Sequence, residues 1–143
     1  MLALLALAIS ACGSASNRSA GALRIFDPTG TVKTQVTSAD VIRASVRAHR
    51  VEGSGVLSLR LTHFGAKKLQ RLTEALAIRG RRRHQPQVAV VQLDDQRHRI
   101  LIDYRTTPDG LTDTDTDGLE ISALTPRAAE RFAQELRQPL AHQ

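Results

Sequence analysis

A small set of side chains would have to supply any chemistry here. Asp113-Thr114-Asp115-Thr116-Asp117-Gly118 alternates carboxylates and ends in glycine, as calcium loops do to place oxygens around a hard cation. An EF-hand needs a bidentate Glu at its twelfth position. Counted from Asp113, that position is Leu124, and the stretch after Gly118 reads as a strand rather than a helix. A solvated acidic loop accounts for the same residues and is the favoured reading. Calcium held by Asp113, Asp115 and Asp117 would bind at millimolar strength at best. Arg81, Arg82 and Arg83 form a basic run before His84. They would contact phosphate or anionic lipid through paired N–H groups, or simply keep an exposed loop soluble; the second is favoured. The histidines His49, His63, His84, His98 and His142 include no pair at His-Glu-x-x-His spacing. Ser54, in Gly53-Ser54-Gly55, lacks the strand-turn-helix context of a nucleophile elbow. Asp94 and Asp95 fall at an expected hairpin tip, where turn chemistry explains them. The expectation is a protein that is not an enzyme and carries no cofactor.

Cys12 is the only cysteine. It ends Ile9-Ser10-Ala11-Cys12, directly behind the apolar run Leu2 to Ile9. A short apolar segment, small residues and then cysteine resembles the lipobox of bacterial lipoprotein signals. The resemblance implies cleavage after residue 11, a diacylglycerol on the Cys12 sulfur and an acylated amine. Several acyl chains at one residue make a stable anchor. The run carries no Lys or Arg at its start, unlike ordinary export signals, and is too short to span a bilayer. The expected organisation is a signal over 1–11, a flexible Gly/Ser/Ala-rich tether over 12–22 and one domain over 23–143. Gly13 rather than Asp after the cysteine favours the outer membrane, on the periplasmic side.

Twenty Lys and Arg stand against fourteen Asp and Glu, which favours anionic neighbours. The segment from Thr106 to Glu120 holds five acids and no base, so charge is polarised along the chain. A lone cysteine excludes a disulfide framework. Three Phe, one Tyr and no Trp are too few for the stacking platforms of single-strand binders, so nucleic acid is not the expected partner.

The elements that would position these residues follow from pattern. Leu23 to Phe26 reads as a short strand before the turn Asp27-Pro28-Thr29-Gly30. Ser38 offers a cap, and Val41, Ile42, Ser45, Val46 and His49 recur at helical spacing, so the expectation is a helix over Ala39–His49. Leu57, Leu59 and Leu61 alternate with polar residues as in a half-buried strand. Leu69, Leu72 and Leu76 form the stripe of a helix over Ala66–Arg79, with Gly80 just past its end. Gln87–Leu93 and Arg99–Tyr104 suggest a hairpin. Leu119, Ile121 and Ala123 suggest a last strand. Thr125-Pro126 opens a helix carrying Ala129, Phe132 and Leu136. The expected core adds Val88, Val90 and Ile100. The product is an α+β two-layer sandwich, its sheet antiparallel or mixed, with two main helices on one face and a short N-terminal helix.

Val56-Leu57-Ser58-Leu59-Arg60-Leu61-Thr62, then Gly65-Ala66-Lys67-Lys68-Leu69 and Leu72-Thr73, resembles the head subdomain of the first periplasmic domain of SecD, a protein-export accessory factor. Val88-Ala89-Val90-Val91-Gln92-Leu93-Asp94 is similar to that family's hairpin strand. Gly118 to Thr125, with Ala128-Ala129-Glu130 and Leu136-Arg137, is similar to its closing strand and helix. The resemblance spans about residues 37–140 and implies the fold and contact with exported polypeptide. SecD's transmembrane helices are missing, so a head of this kind would bind without driving transport. The function expected is a non-catalytic, lipid-anchored envelope module that binds protein. The alternative is a calcium-binding or hydrolytic envelope protein using the acidic loop 109–117.

Overall fold

The computed structural model describes residues 23–111 and 118–139. The chain forms an antiparallel α+β structure in which helices cover sheets, the class expected from the pattern. Its strands are β1 (Leu23–Phe26), β2 (Val36–Thr37), β3 (Val41–Val51), β4 (Ser54–Leu61), β5 (Gln87–Leu93), β6 (Gln96–Ile102) and β7 (Gly118–Leu124). The helices are α1 (His63–Arg83) and α2 (Pro126–Arg137), with one 3-10 turn at Ser38–Asp40. The strands divide into two sheets, ordered β2-β1-β5-β6 and β3-β4-β7. Helix α1 packs on the first sheet and α2 on the second. One core joins them, centred on Leu57, Leu59, Leu69, Leu72, Leu76 and Phe132.

The helix expected over Ala39–His49 is instead the 3-10 turn followed by the long strand β3. A capping box closes the turn. Thr37 accepts from the Ala39 N–H, and Asp40 accepts from the Thr37 N–H at 3.0 Å. The helical spacing of Val41 and Val46 has another origin. Between Ile42 and Arg47 the β3–β4 register shifts, so four residues of β3 stand where β4 has one. Val41 and Val46 both reach the core across that irregularity. The Ser45 hydroxyl closes it, donating to the Ile42 carbonyl (2.6 Å) and accepting from the Arg60 N–H (2.8 Å). Glu52 and Gly53 form a two-residue turn between β3 and β4, both at positive φ as a type I′ turn requires.

Helix α1 is longer at both ends than its leucine stripe suggests. Thr62 caps its start, accepting from the Gly65 N–H. At the far end Gly80 is an interior residue, because α1 runs on to Arg83, and a Cβ there would collide with the Gln85 carbonyl and press on the Tyr104 ring. The left-handed residue is His84, at φ 55° and ψ 40°. The Arg81–Arg83 run is therefore the last helical turn, not a loop. Cations there oppose the negative end of the helix dipole.

In β5, Ala89, Val91 and Leu93 face α1, while Val88 and Val90 lie on the opposite face. Val90 is buried there; Val88 and Ile100 are half-buried, less enclosed than expected. In β7, Ser122 and Ala123 together oppose Val56. This bulge puts Ala123 at φ 63° and turns Leu124 into the core where the alternation placed Ala123. Helix α2 begins as expected, with Thr125 accepting from the Ala128 N–H and Pro126 in the first turn.

Candidate functional site: a groove between two sheet edges

Among the described residues, each sheet ends in a strand with one unpaired side, β6 in the first and β7 in the second. These strands are not hydrogen-bonded to each other. Between them runs an open groove of about 320 Å³. Its walls are His98, Arg99 and Ile100 of β6 and Leu119 to Ala123 of β7, with Val91 contributing from β5. Consecutive residues line both walls. A strand that showed only a face would contribute every second residue. The groove therefore meets strand edges, where backbone N–H and C=O groups lack a neighbour.

The wall chemistry is mixed. Ile100, Leu119, Ile121 and Val91 supply apolar surface, while Glu120 and Arg99 supply one charge of each sign. His98 shares the Val91 side of the sheet by register. Its Nε2 is enclosed and has no hydrogen-bond partner among the described residues, an uncommon state for a buried polar atom. The Ser122–Ala123 bulge lies in the opposite wall and breaks the regularity of that edge.

A second polar cluster, by contrast, is complete in itself. Arg79 and Asp27 form a buried pair with bonds of 2.9 and 3.1 Å from the two terminal guanidinium nitrogens. Arg79 Nε donates to Gln87 Oε1 at 2.7 Å, and Nη1 also donates to Thr29 Oγ1. The Thr29 hydroxyl and the Thr29 and Val32 N–H groups donate to the same carboxylate. Burial alone would push the Asp27 carboxyl up. The Arg79 bond, with Val32 and Thr29, outweighs burial and holds it well below the usual carboxylate range. With its donors engaged inside the fold, this cluster clamps α1 to the turn after β1. It is structural.

Among the described residues, the other candidates raised by the sequence do not line the groove. Arg81, Arg82 and Arg83 are exposed at the end of α1, with Arg81 donating to the Pro108 carbonyl. His49 lies on β3, His63 opens α1 and His84 caps it. Asp94 and Asp95 form the β5–β6 turn, as expected, with Asp94 at φ 53°. Ser54 starts β4. Cys12, His142 and the carboxylates Asp113, Asp115 and Asp117 lie outside the described residues, as does the expected tether. Among the described residues, no three His, Cys, Asp or Glu side chains gather as metal ligands, and no helix is long and apolar enough to cross a membrane.

The groove is not legible residue by residue. The pattern of apolar runs leaves His98 in a connection between strands, whereas the turn takes only two residues and His98 belongs to β6. No family model, curated protein or solved structure matches the chain, so the groove geometry is the ground for a functional reading.

Proposed function

We propose that this chain is a non-catalytic envelope module that captures extended polypeptide segments in the groove between β6 and β7. One observation carries the proposal: two unpaired strand edges border the same groove. An inserted peptide would find backbone partners on one side or both, turning two sheets into one. Such strand addition takes affinity from main-chain bonds and selectivity from pockets for alternate side chains. Ile100, Leu119 and Ile121 would favour apolar residues at those alternate positions. The resemblance to the SecD head supports the same class of partner, and a lipid at Cys12 would hold the module where exported chains emerge.

The test uses seven-residue peptides, the length of β6 and of β7. They alternate valine with threonine and carry a fluorophore. Binding that is lost when every second backbone nitrogen is methylated supports strand addition, because methylation removes the donors and leaves the side chains. Equal binding by methylated and unmethylated peptides contradicts it.

A further inference from the structure

The four-stranded sheet has a second face, turned away from α1. Register places Arg24, Phe26, Val90, Arg97, Arg99 and Leu101 on it. No Asp or Glu of the four strands shares that face. The guanidinium of Arg24 lies 4.0 Å from the Phe26 ring centre, and that of Arg97 lies 5.6 Å from it. The Arg99 side chain makes no hydrogen bond, ion pair or ring contact among the described residues. Leu101, 64% exposed, stands beside this cluster opposite Val88.

Cation density with no carboxylate from the four strands, next to an exposed leucine, fits a surface that is anionic and has an apolar layer below it. We infer that this face docks on a bilayer containing anionic lipid, with Arg24, Arg97 and Arg99 at the headgroups and Leu101 at the acyl boundary. Two observations select a membrane over nucleic acid. Among the described residues Phe26 is the one aromatic ring that register places on the face, and two arginines already engage it, which leaves no stacking platform for bases. The chain also enters the described fold at Leu23, next to Arg24. The ten residues 13–22 reach at most about 35 Å, so a lipid at Cys12 would hold this end of the sheet near the bilayer. Membrane docking goes beyond peptide capture, and of its residues only Arg99 also borders the groove, so Arg24, Arg97 and Leu101 let one fail without the other.

The test uses the full chain carrying Cys12→Ser, which removes the site of acylation, and co-sedimentation with phosphatidylcholine vesicles with and without phosphatidylglycerol. The Cys12→Ser chain should bind the anionic vesicles selectively. Each arginine near the surface contributes about 1 kcal/mol, a factor of about five, so R97Q/R99Q should weaken partitioning about thirty-fold. Arg99→Gln alone, at a side chain with no contact to lose, should weaken it about five-fold with the thermal midpoint unchanged. R82Q/R83Q removes the same charge from the helix on the other side of the sheet and should change partitioning less than about two-fold. Three results would each overturn the inference: R97Q/R99Q partitioning like its parent, R82Q/R83Q losing as much as R97Q/R99Q, or R97Q/R99Q abolishing binding to a single-stranded oligonucleotide while vesicle binding is absent.

Discussion

At the scale of single residues, Asp27 and Ala123 make the sharpest predictions. Asp27→Asn leaves the Arg79 charge buried without its counter-charge. Breaking a buried pair from one side costs about 3–5 kcal/mol, which urea denaturation at neutral pH would measure. The pH dependence follows from the lowered carboxyl value. A group held below its unfolded value of about 3.9 stabilises the fold above that pH. Its contribution drains away as pH falls below about 3.9 toward the folded value. Stability should therefore drop through that acid window in the parent and change less steeply in Asp27→Asn. Ala123 presents the opposite case. It sits at φ 63° in the β7 bulge, where a left-handed backbone costs a side-chain-bearing residue about 1–2 kcal/mol. Glycine adopts that conformation freely but is more flexible when unfolded. Ala123→Gly should raise stability by up to about 1 kcal/mol, and a lowered urea midpoint would contradict the bulge assignment.

At the scale of elements, the α1 stripe is the firmest part of the fold. Leu72 is fully buried between α1 and the sheets, and Leu72→Ala should cost about 2–5 kcal/mol. An unchanged melting temperature would refute that packing. Why this helix is legible in the sequence and β3 is not has a physical answer. Leu69, Leu72 and Leu76 lie on an uninterrupted helix, so one period runs through them. Val41 and Val46 lie either side of a bulge that breaks the period of two. A strand whose buried positions are spaced by such an irregularity imitates a helix when read locally. The β7 bulge hides Leu124 in the same way. Hairpin turns are readable where they are short and polar, as at Asp94-Asp95, but the extent of β6 is not. His98 and Arg97 become strand residues only through pairing with Val91 and Gln92.

At the scale of the whole molecule, an anchor, a sheet face and a groove would act together. The anchor has its own test. Under a high-salt wash, which screens the arginine contacts, Cys12→Ser should leave the membrane fraction of the producing cell while the parent stays, whereas equal release of both forms would exclude the lipid. The groove is a consequence of topology: the described strands split into two sheets and leave an end strand of each on the same cleft. No local pattern encodes that, since it depends on how residues far apart in sequence close the two sheets. Free edges are also where proteins aggregate, so a groove that recesses both is a way to keep them available without exposing them to a second copy.

If β6 and β7 are receptive edges, their amides must change when a chain is captured. Hydrogen exchange by NMR, with and without a permanently unfolded, reduced and carboxymethylated polypeptide, tests this most directly. The expected result is added protection in the complex for backbone amides within 98–100 and 119–123, with the interior strands β4 and β5 unchanged. Binding that leaves both of those segments exchanging at their free rates, with protection appearing elsewhere, would contradict strand addition at the groove.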